Sequence, residues 1–241
     1  MSARADLLDT VLDRIANAAR SSGRPLPSLV AVSKRQPADA VIEVARAWHA
    51  SHAAQGSPVG SLAFGENYVQ EGVAKREAVG EAGIGARIEW HLVGALQTNK
   101  AREAAQAFDW VHSVDRPRII EALAKHRPTG ANPLKVLVQV NVDDETSKFG
   151  CALSEVPALC AAVAMHPGLT LRGLMVIPTP HADIGARRPA FVRVRELFET
   201  MRIEHPGMDT LSMGMSDDME LAIAEGSTMV RVGTAIFGAR S

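Results

Sequence analysis

LVAVSKRQPADAVIEVARAWHA, residues 29–50, contains in one run the unit from which the rest of the fold is read. Leu29, Val30, Ala31 and Val32 are a short continuous apolar run, the pattern of a strand buried on both faces. Pro37 closes the run, and the period then changes to the helical one in PADAVIEVARAWHA. Between strand and helix stands Lys34, at the mouth of a core strand, although an unpaired ammonium is costly to desolvate.

The same alternation recurs along the chain. Strands are expected at 28–33, 62–66, 89–94, 110–115, 134–141, 171–178, 210–216 and 229–238, separated by helical stretches such as NYVQEGVAKREAV and RRPAFVRVRELFETMRIEH. The separators are rich in Gly, Pro, Asn and Asp, as loops of β/α units are. Regular alternation argues a parallel sheet, and eight units argue its closure into a (β/α)8 TIM barrel. An open doubly wound sheet ranks second, because the seventh strand is rich in Gly and Met. An extra amphipathic helix precedes the first strand, ended by Ser21, Ser22 and Gly23. Residues 49–61 and 180–189 read as surface excursions, so a single domain over 1–241 is expected, with no room for another after the eighth strand.

Composition narrows the function. Of the 241 residues 46% are hydrophobic, enough for one sizeable core. Lys and Arg (26) balance Asp and Glu (27), and no basic block or aromatic-basic stripe appears, which speaks against nucleic acid and anionic membrane as partners. The two cysteines, Cys151 and Cys160, have no metal-type spacing and read as small core residues of a protein in a reducing compartment. With no signal peptide and no membrane-spanning run, a cytoplasmic protein is expected.

In a barrel the C-terminal strand ends build the active face. Lys34, Glu66, Asn67, Asn141, Ser212, Gly214, Ser216, Gly233 and Thr234 all converge there. The loops after strands seven and eight are the usual phosphate site of this fold. LSMGMSDD supplies hydroxyls, a glycine and a helix start, with Asp217 and Glu220 spaced as a capping box. VRVGTAIFG adds Gly233, which lets the backbone come close, and the Thr234 hydroxyl and N–H. Gly233 as a mere strand kink is the plainer alternative.

Arg231 alternates with Val230 and Val232; if its face is the barrel interior, the guanidinium needs a partner, an acid of the rim among the candidates. Lys34 at the rim of a partly apolar pocket would have its pKa lowered, and a neutral amine condenses with an aldehyde to a Schiff base. With a phosphate site across the same rim, pyridoxal 5'-phosphate (PLP) is the natural candidate. His49 and His52 lack further ligands for zinc. Trp90 and His91 either flank a ring or lie in the core.

AVSKRQP, FGENYVQE, WHLVGALQTNK, NVDDETSKFG, RGLMVIP and LSMGMSDDMELAIAEGSTMVRVGTAIFGAR, in order over nearly the whole chain, closely resemble the pyridoxal phosphate homeostasis protein family. These are barrels related to the N-terminal domain of alanine racemase. The resemblance implies a fold-type III barrel, PLP on Lys34 as a Schiff base, and buffering or delivery of PLP to apo-enzymes without established catalysis. A monomer is expected, with a weak dimer left open by the sequence. It places Asn67 near the cofactor ring, Arg231 opposite the pyridine nitrogen, and Ser212, Gly214, Gly233 and Thr234, with Ser216, at the phosphate; no metal is implied. An arginine can only donate, so it would hold that nitrogen unprotonated and weaken the ring as an electron sink. The chain departs from the family pattern at Ala50–Ser61, a longer stretch than usual, and at Ala95, where Pro is common; neither is expected to touch the ligand residues. Two rivals remain: an amino-acid racemase, which needs a second proton donor opposite Lys34, and a cofactor-free aldolase-like barrel acting on a phosphorylated sugar.

Overall fold

A computed structural model describes residues 3–52, 62–84, 88–145 and 149–238. Its strands are β1 (Ser28–Val32), β2 (Leu62–Glu66), β3 (Ile88–Leu92), β4 (Trp110–Val114), β5 (Leu134–Val140), β6 (Leu169–Val176), β7 (Thr210–Ser212) and β8 (Met229–Val232). The helices are α1 (Ala3–Ser22), α2 (Ala38–His52), α3 (Val69–Glu81), α4 (Ala101–Ala107), α5 (Pro117–His126), α6 (Val156–Ala164), α7 (Arg188–Glu204), α8 (Met219–Ala224) and α9 (Thr234–Phe237). All strand pairs are parallel and the sheet closes, β1 pairing with β8 from Ser28↔Met229 to Ala31↔Val232. That last pairing excludes the open doubly wound sheet.

Two strands are shorter than the sequence reading by more than one residue. The seventh stops at Ser212, not at 216: Gly214 has a φ of 94°, and the Asp218 carboxylate accepts a 2.7 Å bond from the Met215 N–H, which turns the chain away from the sheet. The eighth stops at Val232, and Thr234–Phe237 is a short helix. The expected capping box does not form, and the residue before α8 makes no side-chain cap hydrogen bond. Asp218, not Asp217, precedes α8, and Glu220 reaches Arg14 of α1 at 2.8 Å.

Side chains alternate between two cores. On β5, Leu134, Val136, Val138 and Val140 face the helices, while Leu137 joins Val30, Ala63, Val93, Trp110, Met175 and Met229 inside the barrel. Trp90 packs outward, 5.6 Å from the Phe64 ring, whereas His91 lies inside, stacked on Trp110 at 5.1 Å. The two therefore cannot flank one ring, and His91 is a core histidine. The shift of register between Val136 and Leu137 against β6 turns both Arg172 and Met175 inward, and the Arg172 guanidinium lies over Trp110.

Helix α1 is part of this architecture. Leu8, Val11, Ile15 and Ala19, one turn apart, are buried against α2, α8 and α9. Cys151 and Cys160 are buried and unpaired with each other, and burial pushes both thiols up to about 12, so neither is a ready nucleophile. The excursion at 180–189 contains a single 3-10 turn, Ile184–Arg187, anchored where Arg187 meets Asp218 at 2.6 Å. Most of the 49–61 stretch lies outside the described residues, although His49 sits on α2. Among the described residues no group of three or more His, Cys, Asp or Glu is arranged to hold a metal ion, and no helix is long and apolar enough to cross a membrane.

Candidate functional site

The strand ends open into a cavity of about 470 Å3. Six of the residues singled out in the sequence line it: Lys34, Asn67, Ser216, Arg231, Gly233 and Thr234. Val32, Val93, Gly94, Ala95, Gln139, Phe149, Ile177, Met215 and Asp217 complete the wall. Ser212 and Gly214 are buried behind it and are not among the lining residues. The first and eighth strands are neighbours, so Gly233 and Thr234 lie next to the strand that leads into Lys34 rather than across the rim from it.

The turn bearing Lys34 is held from below by a buried polar cluster. The Ser33 hydroxyl donates to Glu66 Oε1 at 2.5 Å. The Lys75 ammonium, reaching in from α3, donates to that same oxygen at 2.8 Å, to the Ser33 carbonyl at 2.5 Å and to Glu71 Oε1 at 2.7 Å. Arg35 has a φ of 60°, a left-handed conformation uncommon for a side-chain-bearing residue, and its N–H donates to Glu71. Burial raises the Glu66 carboxyl above its usual range, against the lowering effect of Lys75 and Ser33. Lys75 is 4% exposed. Nothing in GVAKREAV, part of a solvated-looking helix, marks it as buried; its spacing of four from Glu71 is the one visible hint.

Arg231 answers the question its alternation raised. It faces the interior and is buried, and among the described residues no carboxylate of the rim bonds it directly. Nη1 donates to the Ser212 carbonyl at 2.8 Å and to its hydroxyl at 2.7 Å, and Nη2 to the Val176 carbonyl at 2.9 Å. Burial lowers its pKa to about 10, against the attraction of Asp218, so the group stays a cation at neutral pH. Ser212 is thus a support for the guanidinium. Gly214 serves the turn: a Cβ there would stand 2.6 Å from that of Ala222, and its carbonyl accepts from the Arg231 N–H at 3.0 Å.

On the other side, Asn67 and the β3–α4 loop approach closely. A Cβ at Gly94 would meet the Asn67 carbonyl at 2.3 Å, so only glycine fits there. Ala95 follows it into the wall, contrary to the expectation that this departure lies away from the ligand residues. Asn141 is turned to its own loop, its amide donating to the Glu145 carbonyl at 2.9 Å. Phe149 and Ile177, both exposed, give the mouth an apolar lip that the strand-end reading did not anticipate.

Residues 8–241 match the alanine racemase N-terminal domain family. The pyridoxal phosphate homeostasis protein of Pseudomonas aeruginosa is 48% identical over 242 residues, covering 100% of this chain and 97% of that protein. That of Escherichia coli K12 is 47% identical, covering 97% and 95%. The chain belongs to the pyridoxal phosphate homeostasis protein family. A protein of similar structure, PipY of Synechococcus elongatus PCC7942, has been solved without PLP (TM-score 0.81, 32% identity, 97% of this chain and 99% of that one). It has also been solved with PLP bound (TM-score 0.76, 33% identity, 95% and 100%). An alanine racemase of Clostridium difficile 630 shares the fold at 15% identity and a TM-score of 0.67, this chain spanning 57% of its length.

The cluster beneath Lys34 makes a stability prediction. Lys75→Met leaves Glu66 and the Ser33 carbonyl without their cation and should destabilise the protein by about 3 kcal/mol or more, measured by urea unfolding. Loss of less than about 0.5 kcal/mol, the usual effect of a surface substitution, would show the ammonium to be solvated instead.

Proposed function

We propose that this protein binds PLP in the cavity at the C-terminal face of the barrel, with Lys34 as its covalent anchor, and that it buffers or delivers the cofactor in intracellular vitamin B6 homeostasis. The observation that carries the reading is the convergence on one cavity of a lysine amine, a buried guanidinium and the hydroxyl-bearing start of α9. The cavity volume is ordinary for a ligand of this size. The donor set suits PLP: an amine for the aldehyde, Ser216, Gly233 and Thr234 for the phosphate, and Asn67 beside the ring. When bound, PLP supplies an electrophilic carbon to primary amines, and through its ring an electron sink.

The residues of the chain restrict that chemistry. Arg231 is a permanent donor and would leave the ring nitrogen unprotonated. Lys34 is poised on a strained, over-determined turn and would exchange its bond to the aldehyde for one to an incoming amine. The apolar lip of Phe149 and Ile177 would shield the inner end of the cavity from water while leaving the mouth open to a recipient. Relatives named for PLP homeostasis, and a PLP-bound PipY, support this reading. We read the chain as one cofactor-binding domain over 1–241, a cytoplasmic monomer whose recipients are PLP-dependent apo-enzymes.

A racemase would need a second acid–base group facing Lys34. Tyr68, the one tyrosine of the chain, is 56% exposed and is not among the lining residues. The described titratable side chains of the wall are Lys34, Asp217 and Arg231, and Asp217 is exposed at the rim.

Purified protein supplied with PLP should show a visible absorbance band that Lys34→Ala abolishes, and borohydride should fix the label on Lys34. A colourless mixture, or a label on another lysine, would refute the anchor. Loaded protein should restore an apo-enzyme faster than free PLP at matched concentration; equal rates would reduce the role to passive storage. Neither D- nor L-alanine should be turned over, and measurable racemisation by chiral chromatography would make Asp217 the first group to replace.

A further inference from the structure

Inside the barrel, beneath the cavity, runs a column of polar side chains that the proposed function does not use. It begins at Arg231 and Ser212 and continues to His112, whose Nδ1 lies 3.3 Å from the Ser212 hydroxyl. His112 Nε2 lies 2.8 Å from His91 Nδ1. His91 Nε2 faces Glu89 Oε2 at 3.8 Å, and Glu89 Oε1 accepts from the Lys135 ammonium at 2.5 Å. Both imidazoles and Ser212 are buried.

We propose that Ser212, His112 and His91 are positioning residues for Arg231, linked in a one-way hydrogen-bond chain that runs from the guanidinium as far as His91, whose Nε2 faces the Glu89 carboxylate at the opposite mouth of the barrel across 3.8 Å. The guanidinium end fixes the direction, since a guanidinium only donates. At the other end the Glu89 carboxylate, 3.8 Å from His91 Nε2, is too far for a hydrogen bond but favours a proton on that nitrogen. Because the Ser212 oxygen takes an Arg231 hydrogen, its own hydrogen goes to His112 Nδ1. His112 must then carry its proton on Nε2 and give it to His91 Nδ1, which leaves the His91 proton on Nε2, toward Glu89. Both rings are thereby assigned the neutral Nε2–H form. The opposite tautomer of His112 would aim a second donor at Ser212 and leave the hydroxyl hydrogen facing one.

The charges around the column agree with this polarity. His91 meets Glu89 on its own strand, the Asp109 and Lys135 charges from either side, and the Trp110 ring on which it stacks. His112 meets His91 and Arg231. Burial first, and for His112 the neighbouring His91 and Arg231, lower both imidazoles below their usual value, while the facing His91 and the Lys135 ammonium hold Glu89 down at about 2. Three N–H groups of Arg231 are directed at Ser212 and Val176 by this arrangement, so the rest of its fork is presented to the cavity it lines. That last step rests on the reading of Arg231 as the partner of the ring nitrogen; the chain beneath it does not.

The experiment is nuclear magnetic resonance of 15N-labelled protein without cofactor, with His91 and His112 assigned by substitution. Two-bond correlations should show both rings as neutral Nε2–H tautomers at pH 7.5. An Nδ1–H form or an imidazolium at either would overturn the chain. The Arg231 guanidinium protons should be resolved and slow to exchange in the wild type and in His112→Asn, whose amide oxygen still accepts from Ser212. In His112→Phe and in Ser212→Ala they should exchange about tenfold faster, the loss of about one hydrogen bond. Wild-type exchange in Ser212→Ala, which removes only one oxygen, would overturn the positioning role even if His112→Phe fails to fold. With PLP added, His112→Phe should shift the pH midpoint of the visible band and His112→Asn should not. If the wild type takes up no PLP, the cofactor reading fails while the tautomers and exchange rates still decide the chain.

Discussion

A guanidinium closed inside a protein cannot shed its proton and must be met atom by atom, and Arg231 is met by three strands at once. Its own strand, β8, carries it inward; β7 gives the Ser212 carbonyl and hydroxyl, and β6 the Val176 carbonyl. Charge-assisted bonds of this kind are stronger than those between neutral groups. They lock the three last strands together where β7 is only three residues long and its ladder to β8 is brief. The weak seventh strand is thus compensated by one side chain, and the floor of the cavity is the same side chain.

Two buried cations frame the site in different ways. Lys75 is matched by the carboxylates of Glu66 and Glu71, so its charge is cancelled locally and it acts as a brace beneath Lys34. Arg231 is matched by neutral oxygens, so its charge survives and is felt in the cavity. The lysine thus acts through its position, whereas the arginine presents its charge to the cavity it lines. The usual filling of such a barrel is layers of branched apolar residues. Here Glu89, His91, His112, Lys135 and Arg231 take several of those places, and the helices carry the larger share of the apolar core.

How much of this was legible in the sequence depends on how local each signal is. The eight strands and the closure were readable because period and length repeat in every unit. Lys34 and Arg231 stood out because a charge interrupts an apolar run in AVSK and MVRVG. Ser212 and Gly214 were assigned to the ligand since they flank the right loop, yet one is turned to Arg231 and the other is fixed by a φ of 94° and the nearness of Ala222. Which face a residue of a short, irregular strand takes depends on where the strand ends, and that is set by Asp218, a tertiary partner. Gly94, the His91–His112 pair and the bond of Lys75 to the Ser33 carbonyl were invisible for the same reason. Their meaning lies in contacts between residues 21 to 42 positions apart, which no window along the chain contains.

The adjacency of β1 and β8 has one more consequence. Lys34 and Thr234 closely follow the first and last strands of the ring, and they come together only when the seam between Val30 and Arg231 has formed. A molecule gripped by both would act as a clasp on that seam. Its binding would draw the folding equilibrium toward the closed ring by mass action and would be impossible in any intermediate that still has an open edge. Uptake of the ligand would then be a signature of a finished barrel, since a nascent chain could offer its lysine long before it could offer a pocket.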